Sequence, residues 1–359
     1  KTAYALGGRL VGSEMCIRDR ILLCLWLGLV CSFAEDLVFH IPTPNRAMFD
    51  GTEEGNKAFF APTTSGIWQS GRYGCTRTAG WQFHEGIDIL WTQKDRKGEP
   101  SDPVFATADG VICYINDKPG LSNYGRYLII GHRIEGIELY SLYAHLSAID
   151  SEVSLGRKVL AGAPIATMGR SSNAARIAPY RAHLHFELAM VINEHFDDWF
   201  QTRKPGQIND HGPWNGRNLM GLDPEALFKE QWRLGKAFSL LDHFKHQDIY
   251  FKLKVDSPSF PWLKRYAALI EPATSDDQSQ SAEISSYELS FNAFGLPVAA
   301  KPLFGKDLEK SKVWEVSYVN EAIHKAFKCS KKIERKGDGY QLSSAGDEWM
   351  DLLTFDVSR

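Results

Sequence analysis

Two histidines stand one residue apart in the run RAHLHFEL, residues 181–188. Side chains at i and i+2 of an extended strand share a face. His183 and His185 therefore point one way, while Leu184, Phe186 and Leu188 turn to the other side, toward a core. Such a pair is either a satisfied structural pair or half of a metal site. A second constellation, FHEGIDIL at residues 83–90, sets His84 four residues before Asp88. That spacing keeps both on one face of a strand or a helix, and Gly86 with the β-branched Ile87 and Ile89 favours strand or loop. Between the two, SLYAHLS (141–147) places His145 just after another apolar strand. Imidazole nitrogen and carboxylate oxygen are both zinc donors, and a catalytic zinc takes three protein ligands plus a water. Glu85 and Glu187 adjoin these residues in sequence and are expected to point away from them, in structural or supporting roles. His132, His195, His211, His243, His246 and His324 read as surface or capping residues.

The elements that must position these groups are mostly strands. VFATADGVICYI (104–115), RYLIIGH (126–132) and ELYSLYAHL (138–146) are rich in β-branched and aromatic residues. The run from Gly156 to Pro164 carries the glycines and proline of a tight turn between strands. Helical period is scarce over residues 83–191, so the fold class is mainly β: an antiparallel, sandwich-like core with short helices. LDPEALFKEQWRLGKAF (222–238) has a proline near its start and apolar residues at helical spacing, and reads as a helix closing this unit. Residues 35–70 read as a loop-rich lead-in, with Pro42, Pro44 and Pro62.

Beyond the helix, QDIYFKLKV (247–255), YELSF (287–291) and WEVSYV (314–319) read as strands, and EPATSDDQSQSAEISS (271–286) as a linker or long loop. A second, smaller α+β or β domain is expected at 239–359. Its expected role is targeting or packing; the alternative is a domain that packs on the catalytic core and completes its groove. The locally basic KCSKKIERK (328–336) reads as a solvated face.

The chain has 359 residues, 43% hydrophobic and 24% charged, with a net charge of −3. Nothing in that balance draws it to nucleic acid. Residues 1–20 have no apolar period and are expected to be a sequence artefact. ILLCLWLGLVCSFA (21–34) is short for a bilayer span and ends in an A-x-A-like site, Ser32-Phe33-Ala34. It reads as a secretory signal peptide, with a mature start near Glu35 and no membrane span after cleavage. Three of the six cysteines, Cys75, Cys113 and Cys329, lie beyond it, too few for a disulfide scaffold. Whether Cys75 and Cys113 are bridged stays open.

Taken in order, HxGxD (84–88), PVxAxxDGV (103–111), YAHL (143–146), GxxVxAGxPI (156–165) and HLHFEL (183–188) closely resemble the lysostaphin/LytM-type zinc metallopeptidases of bacterial cell walls. The resemblance covers residues 71–191. It implies a duplicated-hybrid-motif-like β fold within a peptidase domain at 71–236. It implies one zinc ion per chain held by His84, Asp88 and His185, with His145 and His183 as catalytic residues flanking the water and the scissile carbonyl. It implies a secreted or periplasmic endopeptidase cutting peptide bonds in peptidoglycan stems or cross-links. The rival readings are a non-enzymatic member of the same fold that binds or regulates wall hydrolases, and a secreted protease acting on proteins. The chain departs from the family pattern at Gly125-Arg126, where Gly-Asn is common, and at Arg181-Ala182, where Gly-Pro is common. It also carries extensions at 92–102 and before His183, both expected to rim the groove.

Overall fold

The computed structural model describes residues 37–173, 177–273, 283–305, 313–329 and 331–357. The expected signal peptide and the expected artefact at 1–20 lie outside the described residues. No helix among the described residues is long and apolar enough to cross a membrane.

The architecture is mainly antiparallel β with short helices. Its centre is a seven-stranded sheet built on the strand His183–Val191, every residue of which is buried. One edge of that strand is shared by two partners. Ile87–Leu90 pairs with its first half, His185 opposite Asp88, and Leu219–Leu222 pairs with its second half. The other edge pairs with Ile137–Ala144, His185 opposite Ala144. Tyr127–Ile134, Gly110–Asn116 and Lys158–Val159 complete the sheet outward. The register alone thus sets His185 beside Asp88 and opposite Ala144, the last residue of the strand that leads into His145.

Alternation along His183–Val191 divides its side chains as the pattern requires. Leu184, Phe186 and Leu188 enter the main core, whereas Ala189 and Val191 join a smaller apolar cluster with Tyr127, Ile129, Leu142 and Leu219 on the opposite face. His183 and His185 lie on that opposite face. Gly86 is required by close approach: a Cβ there would sit 2.2 Å from the Phe186 carbonyl oxygen. The glycine of HxGxD therefore lets the His84 and Asp88 segment close onto the histidine strand.

The lead-in is more ordered than its prolines suggest. Glu53–Phe59 is a helix, N-capped by Thr52, which accepts from Gly55 N, and it carries Glu53 and Glu54 in its first turn. The predicted helix near 222–238 is Pro224–Leu234, with Asp223 as N-cap and Gly235 ending it. Past it, Phe251–Val255, Ile284–Phe291, Pro297–Phe304 and Trp314–Val319 form a four-stranded antiparallel sheet. The expected linker at 271–286 is interrupted: Ile284 already begins a strand, and Ser286 is buried in it.

The described residues from Val38 onward form one compact unit. A single buried apolar cluster runs from Phe39 to Leu353, and Trp262 is fully buried. The cysteines resolve differently from the pairing left open above. Cys75 is bonded to Cys329, across 254 residues, and Cys113 is free. Cys113 lies on the Gly110–Asn116 strand, facing Gly131 of its neighbour, whereas Cys75 lies on a hairpin packed against the C-terminal region.

Candidate metal centre

His84 ends a short strand, Gln82–His84, that hairpins with Gly74–Arg77. Asp88 comes from Ile87–Leu90 and His185 from the central strand. His84 Nε2, Asp88 Oδ1 and His185 Nδ1 lie 2.9–3.2 Å from one another, and all three residues are buried. Among the described residues this is the one group of three or more such side chains close enough to hold an ion together.

Each histidine is oriented through its other nitrogen. His84 Nδ1–H donates to the Arg72 carbonyl at 2.8 Å, and His185 Nε2–H donates to Glu187 Oε1 at 2.9 Å. His183 Nδ1–H donates to the Arg181 carbonyl at 2.6 Å, and His145 Nδ1–H to the Ser171 carbonyl at 2.8 Å. Carbonyl oxygens only accept, so the backbone contacts fix the tautomers of His84, His183 and His145, whereas both nitrogens of His185 face carboxylates. In His183 and His145 they leave Nε2 as the acceptor. His183 Nε2 lies 3.6 Å from Asp88 Oδ1, and the His145 and His183 rings meet edge to face at 4.9 Å. His145 has φ +61°, a left-handed turn that takes the chain out of its strand.

The electrostatics leave one ionised carboxylate at the centre and a proton on His185 that a bound ion would have to displace. Burial acts to raise the Asp88 carboxyl, yet the neighbouring His84, His183 and Arg77 hold it well below the usual range, so it is ionised. Burial opposes charge on His185, but hydrogen bonds to Asp88 and Glu187 prevail and lift it to about 9. Burial lowers His183, and lowers His145 to about 3, so both are neutral at ordinary pH. A buried carboxylate ringed by oriented imidazoles is the two-histidine, one-carboxylate donor set that zinc accepts. The residues present fit the ion.

Several neighbours were not singled out by the sequence. Arg77 Nη2 donates to Asp88 Oδ2 at 2.6 Å and reaches His84 Nε2 at 2.7 Å. Tyr124 OH donates to Glu187 Oε1 at 2.7 Å. Glu187 itself corrects an expectation: it lies two residues past His185 and shares its face, where it grips the ring. Glu85 is exposed and lines the cleft, because the chain leaves strand geometry between His84 and Ile87. His211, expected at a surface or cap, stands in the cleft wall and pairs through Nδ1 with Tyr114 OH at 2.7 Å.

The centre opens into a cleft of ≈ 720 Å³, also lined by Thr63, Thr64, Tyr124, Ile177 and Arg181. The two extensions are clasped together: Arg170 binds Glu99 through two hydrogen bonds, 2.6 and 2.7 Å. The later extension supplies Ile177 and Arg181 to this cleft. The earlier one supplies Glu99 and Pro100 to an adjoining depression that shares Ser172 with it.

Residues 82–197 match the model of peptidase family M23. Over that segment, about a third of the chain, it is similar to the M23 peptidases. Solved structures similar to it include a zinc-containing peptidase from Vibrio cholerae, 28% identical over 30% of this chain and 26% of that one, TM-score 0.23. The catalytic domain of lysostaphin from Staphylococcus simulans is 21% identical over 44% of this chain and 87% of that one, TM-score 0.27. A mutant catalytic domain of the prophage-encoded M23 protein EnpA from Enterococcus faecalis is 22% identical over 36% and 79%, TM-score 0.26. The chain thus spans about a quarter of the Vibrio cholerae peptidase. No curated protein matches it.

Proposed function

We propose that the protein is a zinc-dependent endopeptidase of the cell envelope, hydrolysing peptide bonds in peptidoglycan stems or cross-links. The observation that carries this reading is the convergence of His84 Nε2, Asp88 Oδ1 and His185 Nδ1 at the base of an open cleft, inside the segment similar to the M23 peptidases. One ion per chain would be held by these three residues. Zinc held there supplies Lewis acidity that polarises a scissile carbonyl and makes water nucleophilic near neutral pH.

The chain's own residues supply the rest. His145 and His183 each keep Nε2 unprotonated, because Nδ1–H is committed to a backbone carbonyl and burial disfavours the cation. Either Nε2 is placed to take a proton from water and return it to a leaving amine. Once protonated, either ring donates a hydrogen bond to developing negative charge on the carbonyl oxygen. Glu187 and the Arg72 carbonyl hold the ligand rings so that the donor atoms keep their aim. In this reading residues 71–236 bear the chemistry, residues 239–359 brace it, and a leader at 21–34 directs export.

The test is incubation of the purified protein with defined muropeptides, with and without a chelator, reading products by mass. Chelator-sensitive release of stem-peptide fragments supports the proposal. Intact muropeptides alongside a cleaved protein substrate would favour a general secreted protease. Neither cut, with zinc bound, would favour a binding or regulatory member of the fold.

A further inference from the structure

Charge in the cleft is unevenly placed. Of its two arginines, Arg77 is paired with Asp88. Arg181 has no carboxylate partner among the described residues; its Nε donates to the Pro62 carbonyl at 3.3 Å, which leaves the two terminal nitrogens for a ligand. Its backbone is fixed relative to the centre, since its carbonyl accepts from His183 Nδ1–H. It ends a short 3-10 turn, Pro179–Arg181, in the extension clasped by Arg170 and Glu99. Glu85 is the cleft's exposed acid.

Register separates these two charges. His183 is opposite Leu90, His185 opposite Asp88, and Phe186 opposite Ile87. Arg181 precedes His183 on one strand and Glu85 precedes Ile87 on the other, and the strands run antiparallel. The guanidinium and the carboxylate therefore lie beyond opposite ends of the paired segment that carries Asp88 and His185. A peptide crossing the centre meets a cation on one side and an anion on the other.

We infer that the cleft selects peptides by charge: Arg181 takes a substrate carboxylate on one side of the scissile bond, and Glu85 takes an ammonium on the other. A guanidinium fork matches a carboxylate in plane and spacing, which gives the contact direction as well as strength. This deepens the peptidase reading and rests on it for the word substrate. The pocket chemistry is measurable without any turnover.

The experiment measures equilibrium binding of two peptide frames, pentaglycine and Lys-D-Ala-D-Ala, to the full chain with chelator present. Each frame is prepared with free carboxyl or amide, and with free or acetylated amines. Blocking the carboxyl should weaken binding to the wild type by about tenfold or more, as should blocking the amines. Arg181→Gln should erase the carboxyl preference alone, Glu85→Gln the amine preference alone, and Arg181→Glu should reverse the first. Equal binding of acid and amide, retention of the carboxyl preference in Arg181→Gln, or no measurable binding of either frame overturns the inference. Because no hydrolysis occurs under chelation, these outcomes are separate from the muropeptide test, whose failure would instead remove the peptidase reading.

Discussion

Glu187 is the residue through which the metal reading is most sharply exposed to test. Its Oε1 accepts from His185 Nε2 at 2.9 Å and from Tyr124 OH at 2.7 Å, in a residue that is 1% exposed. The carboxylate makes the imidazole a better donor toward an ion at Nδ1. Glu187→Gln keeps the size and can keep the acceptor oxygen, but removes the charge. Loss of such a supporting carboxylate weakens metal affinity by roughly 10–100-fold, or about 1.4–2.8 kcal/mol. Glu187→Ala should cost more, because it also strands the Tyr124 hydroxyl and leaves a buried void. Tyr124→Phe removes one donor and leaves the charge in place, so its effect should stay under about tenfold. The assay is competition for zinc against a chromophoric chelator at fixed pH, with folding checked by near-ultraviolet circular dichroism. A folded Glu187→Gln protein that binds zinc as tightly as the wild type refutes the argument that this carboxylate tunes a metal ligand.

Further expectations follow from the structure. His185→Ala should abolish stoichiometric zinc binding, whereas His145→Ala and His183→Ala should retain zinc and lose turnover by about 10²–10⁴-fold; metal analysis beside muropeptide kinetics distinguishes them, and the reverse pattern would exchange the roles. His132, away from the centre, donates from Nδ1 to the Asp109 carbonyl and pairs through Nε2 with Ser141, and burial lowers its pKa to about 4. Its folded value lies below its unfolded one, so its contribution is full above about pH 6.5 and is lost as pH falls toward 4, about 3 kcal/mol in all; urea melts at pH 7 and pH 4 should show the gap between wild type and His132→Gln shrinking by that order, and an unchanged gap refutes it. Replacing Cys75 and Cys329 by serine should cost about 2–4 kcal/mol, and a chain ending near Lys236 should fail to fold to a zinc-binding state; a truncated chain that melts cooperatively and holds zinc would show that the C-terminal region is an independent accessory.

Strand parity and short spacing made the paired groups legible as local facts, but the choice of His84, Asp88 and His185 as the set, with His183 left out, came from the family resemblance alone. His183 and His185 share a face whatever surrounds them, and the glycine of HxGxD announces a close approach that the Phe186 carbonyl explains. The same parity should have placed Glu187 with His185, and adjacency in sequence was the wrong guide. Glu85 failed for another reason: alternation holds only inside a strand, and the chain turns between His84 and Ile87. Arg77, Tyr124 and His211 carry no local signal. They reach the centre from a hairpin and two loops, and only the packing of those segments makes them neighbours.

The C-terminal residues were hardest to read because what they contribute is distributed over contacts far apart in sequence. Phe294 stacks edge-on against Tyr73 at 4.8 Å and lies 5.6 Å from Phe83, and a Cβ at Gly74 would sit 2.9 Å from its ring. Cys329 ties down Cys75 in the same hairpin. That hairpin carries Arg77 and ends in His84, and the Arg72 carbonyl just before it orients the His84 ring. On the central strand, Tyr266 OH pairs with both the amide and the carbonyl of Val191, and Asn193 beyond it donates to the Leu352 and Phe355 carbonyls. The two segments that present His84 and His185 are thus both held from the C-terminal side. A donor set whose atoms must agree within a few tenths of an ångström needs such bracing at each contributing segment. In the proposed peptidase reading, the region without a catalytic motif would therefore act on the chemistry through the stiffness of the hairpin and strand it clamps.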